Sequence, residues 1–178
     1  MPRLTMIPEN EASGNVAEVY GSIKKGLGRI PNAYATLGSH GPKALQAMLG
    51  ADKALASGSL SKQDQETIKL VVSEMAGCDY CVAAHTMVGK MVGLSPEDMR
   101  KVRAGEPTGE EKRDALVSFV RKVVSSSGTL DSSTYETIVE AGYTEEQLVD
   151  ICLAIAVITF TNVFNRINDT TVDFPKVE

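Results

Sequence analysis

Apolar residues recur along the chain at three- and four-residue intervals, in segments opened by Ser, Thr or Asp and closed by glycine. Strand-like alternation bounded by turn residues is scarce. The pattern predicts an all-α chain with helices near 14–27, 42–56, 62–76, 79–92, 96–104, 109–126, 132–141 and 145–165. Thr108 with Glu111 and Thr144 with Gln147 have the spacing of a capping box, and Ser95-Pro96-Glu97 sets a cap, a first-turn proline and an acid in their favoured order. Gly77, Gly93, Gly105, Gly128 and Gly142 fall where segments end, as residues able to turn left-handed do. Pro31-Asn32 and Gly41-Pro42 read as turns, and His40, just before the second, reads as a surface histidine. The 145–165 segment is apolar on most sides through Ile151, Leu153, Ile155, Val157, Ile158 and Phe160, so it must be covered nearly all round. It is expected to serve as the central core helix and as a contact between subunits, with Cys152 as a small buried hydrophobe.

Composition narrows the class. The 178 residues contain no linker-like stretch and are expected to form a single domain spanning 1–178. At 43% apolar and 23% charged the chain reads as an ordinary soluble protein. A net charge of −5 without a Lys/Arg run speaks against a nucleic-acid partner. Met1 to Asn10 has no apolar signal core, and the longest apolar run, Ile151 to Phe160, is shorter than the ~20 residues of a membrane span, so a cytoplasmic placement with no membrane partner is expected. Three cysteines in such a chain do not make a disulfide scaffold, and an intracellular Cys-x-x-Cys points to redox or metal chemistry.

That pair lies in Gly77-Cys78-Asp79-Tyr80-Cys81-Val82-Ala83-Ala84-His85. At about 100° per residue, Cys81 sits roughly 60° from Cys78 around the helix and His85 roughly 20° from it, so thiols and imidazole share one face. Cys78 falls near a new helix N-terminus, where the dipole and free N–H groups favour a thiolate. His85, one turn after Cys81, is placed to take its proton. Cys81 is thus assigned the attack and Cys78 the resolving role, although the N-terminal thiol of such a motif is often the more acidic, which leaves the reverse order open. Asn165 and Arg166 either line the site or end their helix. The apolar stripe of the 62–76 helix runs through Ile68, Val71, Val72 and Met75, which by periodicity alone puts Glu66 on a solvated face.

Cys78-x-x-Cys81-x-x-x-His85, preceded by Leu60-Ser61 and an acidic helix, resembles the AhpD-like, carboxymuconolactone decarboxylase superfamily, in its alkylhydroperoxidase, peroxidase-related branch. The core of the motif covers about 60–92, and the run Asn165 to Asp169 followed by Asp173-Phe174-Pro175 is similar to the tail of that branch. The resemblance implies an AhpD-like helical bundle, assembled as a homo-oligomer, a trimer or hexamer. It implies a hydroperoxide substrate, no bound cofactor, and electrons from an external dithiol or thioredoxin-like reductant. The family's glutamate, about three helical turns before the first cysteine, corresponds to Glu66 and would relay protons with His85. Tyr80 stands where characterised alkylhydroperoxidases carry a histidine, so the relay here is shorter or different. The same residues admit a disulfide oxidoreductase or redox sensor with little peroxidase activity, and a decarboxylase using His85 as acid and base. A zinc site with Glu66 or Glu74 as fourth ligand is disfavoured, because zinc modules separate their ligand pairs by a longer loop, and no metal is expected.

Overall fold

In the computed structural model, which describes residues 1–177, one helix is surrounded by the others. The described residues form α1 (Gly14–Leu27), α2 (Asn32–His40), α3 (Pro42–Ala56), α4 (Lys62–Met75), α5 (Asp79–Met91), α6 (Pro96–Ala104), α7 (Glu111–Ser125), α8 (Ser132–Glu140) and α9 (Glu145–Asn168), with no strand among them. The central one is α4. The Ser61 hydroxyl accepts the Asp64 N–H at 3.0 Å and fixes its start. From Gln65 to Ser73 only Lys69 escapes full burial, because α5, α6, α7 and α9 pack around it.

A central helix can carry polar groups only if they find partners. Gln65 Nε2 donates to the Leu55 and Leu60 carbonyls at 2.9 and 3.0 Å. The Ser73 hydroxyl donates to Asn162 Oδ1 at 3.1 Å.

The capping box at Thr144 and Gln147 forms as expected and starts α9. Within the chain α4, not α9, occupies the centre, and α9 lies across it. Ile151, Ala154 and Ile158 of α9 are buried, while Val149, Phe160, Val163 and Ile167 are exposed. Cys152 is likewise exposed rather than buried. With 24 residues and an 18-residue stretch of mean hydropathy 1.9, α9 is by length and composition long and apolar enough to cross a membrane, unlike the shorter run read from the sequence. Here it packs against α3, α4 and α5. Three asparagines at three-residue spacing, Asn162, Asn165 and Asn168, are buried in its second half.

Two other expectations fail locally. Residues 32–40, read as connection, form α2 between the breaks at Pro31 and Gly41; His40, its last residue, is exposed as expected, with the ring Nε2 2.8 Å from the Thr5 carbonyl. This helix is rich in small residues because it lies tightly against α1: a Cβ on Gly38 would stand 2.9 Å from a Tyr20 ring carbon. The capping box at Thr108 and Glu111 is absent, because the Thr108 hydroxyl donates to Asp114 Oδ1 at 2.6 Å instead.

Candidate functional site

The turn between α4 and α5 sets the two sulfurs. Gly77 has a φ of 62°, a left-handed conformation that reverses the chain after α4, and the Arg166 guanidinium donates to the Ala76 and Gly77 carbonyls left free there. Cys78 is thereby the N-cap of α5, its sulfur accepting the Cys81 N–H at 3.4 Å. Both cysteines are reduced and buried, with 2% and 3% exposure. The Cys81 thiol and the Cys81 N–H both donate to Cys78 Sγ and hold that thiol below its ordinary value despite burial. The same bond, together with burial, pushes Cys81 up. Of the two thiols Cys78 is therefore the more acidic, and Cys81 the one that holds its proton more firmly.

This distribution has a direct test. In a Cys152→Ser background, alkylation of Cys78 by iodoacetamide should show a pH midpoint below 9.0, the ordinary thiol value. Cys81→Ala removes the S–H donor and should move the midpoint upward, whereas equal midpoints in the two proteins would refute the assignment.

α9 reaches the other sulfur. Asn165 Nδ2 donates to Cys81 Sγ at 3.3 Å, and the Thr161 side chain also favours its thiolate. Asn165 is 4% exposed, and its Oδ1 has no hydrogen-bond partner among the described residues.

Glu66, which periodicity places in solvent, is buried, because α5 covers that side of α4. Its Oε2 meets His85 Nδ1 at 2.8 Å, and its Oε1 accepts from Lys69 Nζ at 3.2 Å. Lys69 lies 3.4 Å from Asp52 as well, so a connected polar row runs Asp52–Lys69–Glu66–His85. Burial by itself would raise the Glu66 carboxyl, but His85 and Lys69 outweigh it and hold the group below its ordinary range. Burial would likewise lower Lys69, and Glu66 with Asp52 raise it instead. A carboxylate accepting from Nδ1–H leaves Nε2 of a neutral His85 as the acceptor. Among the described residues His85 makes no hydrogen bond to either sulfur; it shares a cavity with Cys81.

That cavity holds about 500 Å³ and is lined by Cys81, His85, Glu66 and Lys69 on one side. Leu27, Met87, Val88, Met91 and Phe174 supply much of its apolar wall. The Tyr34 hydroxyl is kept neutral by burial and by the nearby carboxylates of Asp52 and Glu66. A second, polar recess of about 300 Å³ opens on Cys78. Tyr80 separates the two as a wall: its oxygen accepts the Ala33 N–H at 3.1 Å, and its ring meets Phe174 edge-on at 5.3 Å. Glu74 is bound to Arg103 at 2.7 Å and lines neither space. Among the described residues no group of three or more His, Cys, Asp or Glu is arranged to hold a metal ion.

The four residues singled out in the sequence thus fall into two contacts, Cys78 with Cys81 and Glu66 with His85. Lys69, Asp52, Tyr34 and Thr161 were not foreseen. The spacing of Lys69 three residues after Glu66 was a signal, as was the asparagine stripe in an otherwise apolar α9.

Residues 42–106 match the carboxymuconolactone decarboxylase family. A peroxidase-related protein from Ralstonia eutropha JMP134, described as an alkylhydroperoxidase AhpD core, superposes with a TM-score of 0.83 over 97% of this chain and 92% of its own, at 22% identity. The chain has the AhpD-like helical fold. The fold is also shared with the debrominase Bmp8, with a TM-score of 0.76 at 21% identity over 96% of this chain and 92% of that one. The uncharacterized protein YdfG of Bacillus subtilis (strain 168) is 28% identical over 130 residues, 71% of this chain and 86% of its own.

Proposed function

We propose that the protein is a thiol-dependent peroxidase that reduces hydroperoxides through Cys81 and Cys78. The observation that carries this reading is that Cys81 and the Glu66–His85 pair face one apolar cavity. A hydroperoxide bound there bridges the gap between the imidazole and the sulfur. His85 Nε2 takes the Cys81 proton through the bound peroxide, and the sulfur attacks the terminal oxygen. The O–O bond breaks, and the alkoxide leaves as alcohol with the proton returned by His85. Glu66 holds the imidazole ring and stabilises its charged form, and the Asn165 amide supports the developing charge on sulfur. Cys81 is left as a sulfenic acid.

The Cys78 thiolate then attacks Cys81 Sγ, and hydroxide departs as water after taking a proton. Together, two thiols and one hydroperoxide become a disulfide, an alcohol and water. An external dithiol reduces the disulfide, and no bound cofactor takes part. The acidity of Cys78 suits this resolving role. Its burial with Cys81 favours a small substrate over a folded protein's disulfide, and so a peroxidase over a general disulfide oxidoreductase. Turnover by an external dithiol suits a thiol-keeping compartment, in keeping with a cytoplasmic placement. The apolar side chains exposed on α9, Val149, Phe160, Val163 and Ile167, support assembly into a homo-oligomer.

The experiment is a count of free thiols in denaturant before and after one equivalent of an organic hydroperoxide. The three thiols should fall to one, matched by loss of peroxide. Three thiols remaining with peroxide intact would overturn the reading.

A second reading is favoured by the size and apolar lining of the cavity, which also suit a halogenated aromatic ring. In it the same thiols remove bromine, as the likeness to a debrominase supports. One aryl bromide and two thiols would give the unsubstituted ring, a disulfide and hydrogen bromide. Bromide release without peroxide consumption would select it.

A further inference from the structure

The two sulfurs of the pair face different spaces. Cys81 lines the apolar cavity and not the polar recess, while Cys78 lines the recess and not the cavity. Tyr80 and Asn165 belong to both linings and form the partition. The recess is built from Gly77 and Asp79 at the start of α5, Arg166 and Asp169 at the end of α9, and Thr170 and Val172 beyond it. Its size, about 300 Å³, admits a small thiol, and its polar walls contrast with the apolar cavity on the other side. The partition carries a buried polar atom without a partner, Asn165 Oδ1, on the same amide whose nitrogen donates to Cys81 Sγ. In thiol–disulfide exchange leaving ability alone would favour departure of the more acidic Cys78, so attack on Cys78 is set by access: it is the sulfur that lines the recess.

We propose that the recess is the binding site of the reductant, so that a dithiol enters from the side opposite the oxidising substrate and attacks Cys78. This rests on the cysteine-pair chemistry of the proposed function and assigns its second half to a separate site. One thiolate of the reductant bonds to Cys78 Sγ and breaks the Cys78–Cys81 bond. The electron pair stays on Cys81, whose thiolate is received by the Asn165 amide N–H and then takes a proton. The second thiol of the reductant attacks its own sulfur in the mixed disulfide and releases Cys78 as a thiolate. The reductant leaves as a disulfide, and two electrons have passed to the protein. Oxidant and reductant thus never compete for one space.

Two exposed residues test the separation without touching the pair. Val172 is at the rim of the recess with 40% exposure, and Met91 is on the cavity side with 77%. Each half-reaction is followed alone in the full chain, oxidation by cumene hydroperoxide and reduction of the preformed disulfide by dithiothreitol. Val172→Trp should lower the ratio of reductive to oxidative rate by about tenfold or more, and Met91→Trp should raise it, because exchange is limited by access to the sulfur. A ratio unchanged in both, or shifted in the opposite direction, would overturn the proposal.

A second readout locates the attacked sulfur. The disulfide form is mixed with 2-mercaptoethanol, quenched in acid, alkylated and fragmented. The adduct is expected on Cys78 with the alkyl group on Cys81; the reverse pattern would refute the inference. If hydroperoxide fails to form the disulfide, that overturns the peroxidase reading alone, since diamide forms the same bond and both reductive readouts proceed.

Discussion

Cys81→Ser is expected to lower hydroperoxide turnover by at least about a thousandfold, because removal of a reacting nucleophile leaves only binding and the supporting groups. Serine keeps the shape of the side chain and a hydroxyl that the Asn165 amide can still reach, so thermal unfolding should change little. The loss would then be chemical rather than structural. An alcohol so deeply buried has no route to its alkoxide, even with His85 on the same cavity wall. Cys78→Ser should behave differently. It removes the resolving sulfur, so one equivalent of hydroperoxide is consumed and Cys81 remains as a sulfenic acid that dimedone labels. Activity of Cys81→Ser within tenfold of the unaltered protein, or dimedone labelling of Cys78 in place of Cys81, would remove Cys81 from the first step.

The second large effect falls on stability. Lys69→Met should destabilise the fold by about 3 kcal/mol, since it strips the shared cation from two carboxylates and leaves Glu66 buried with His85 as its only ionic partner. Denaturant unfolding measures it. Adding Glu66→Gln to Lys69→Met should recover much of the loss, because the stranded charge disappears; full additivity of the two changes would show that they do not act through each other.

The pH dependence follows from the directions of the shifts. Glu66 is held below 4.5, so its share is present above that value and fades as pH falls through the lowered one. Lys69 is held above 10.5, so its share is present below that value and fades as pH rises through the raised one. The gap between the unaltered protein and Lys69→Met should therefore be widest between 4.5 and 10.5 and narrow on either side.

The second effect falls on α4, a helix whose burial the sequence misjudges. Helix starts at Ser61, Ser95 and Thr144 and the left-handed glycines were legible because caps and turns are local chemistry. Burial is not local. Periodicity assigned Glu66 to solvent because it scores only the residues of one helix, while the side of α4 that carries Glu66 is covered by α5. The family resemblance found Glu66 where the hydrophobic pattern could not. The error over α9 has the same origin in reverse: a helix apolar on many sides looks central, yet Val163 and Ile167 stay exposed while polar Gln65 and Thr67 of α4 do not. The short α2 escaped notice because its Ala33, Ala35 and Gly38 are selected for close approach to α1 and leave no large apolar stripe.

The stretch after α9 has no regular secondary structure, yet it supplies Thr170 and Val172 to one chamber and Phe174 to the other. It is held by few ties, chiefly Asp173 to Arg29 at 2.9 Å and to the Asn32 N–H at 3.2 Å, with Arg29 over the Phe174 ring at 4.7 Å. Chain of this kind, laid on a rigid scaffold, accepts substitution more readily than the helices beneath it. Copies of this fold can therefore diverge in what they admit to either sulfur by exchanging a handful of residues between 170 and 175, while the helices that hold the sulfurs and the Glu66–His85 pair stay as they are.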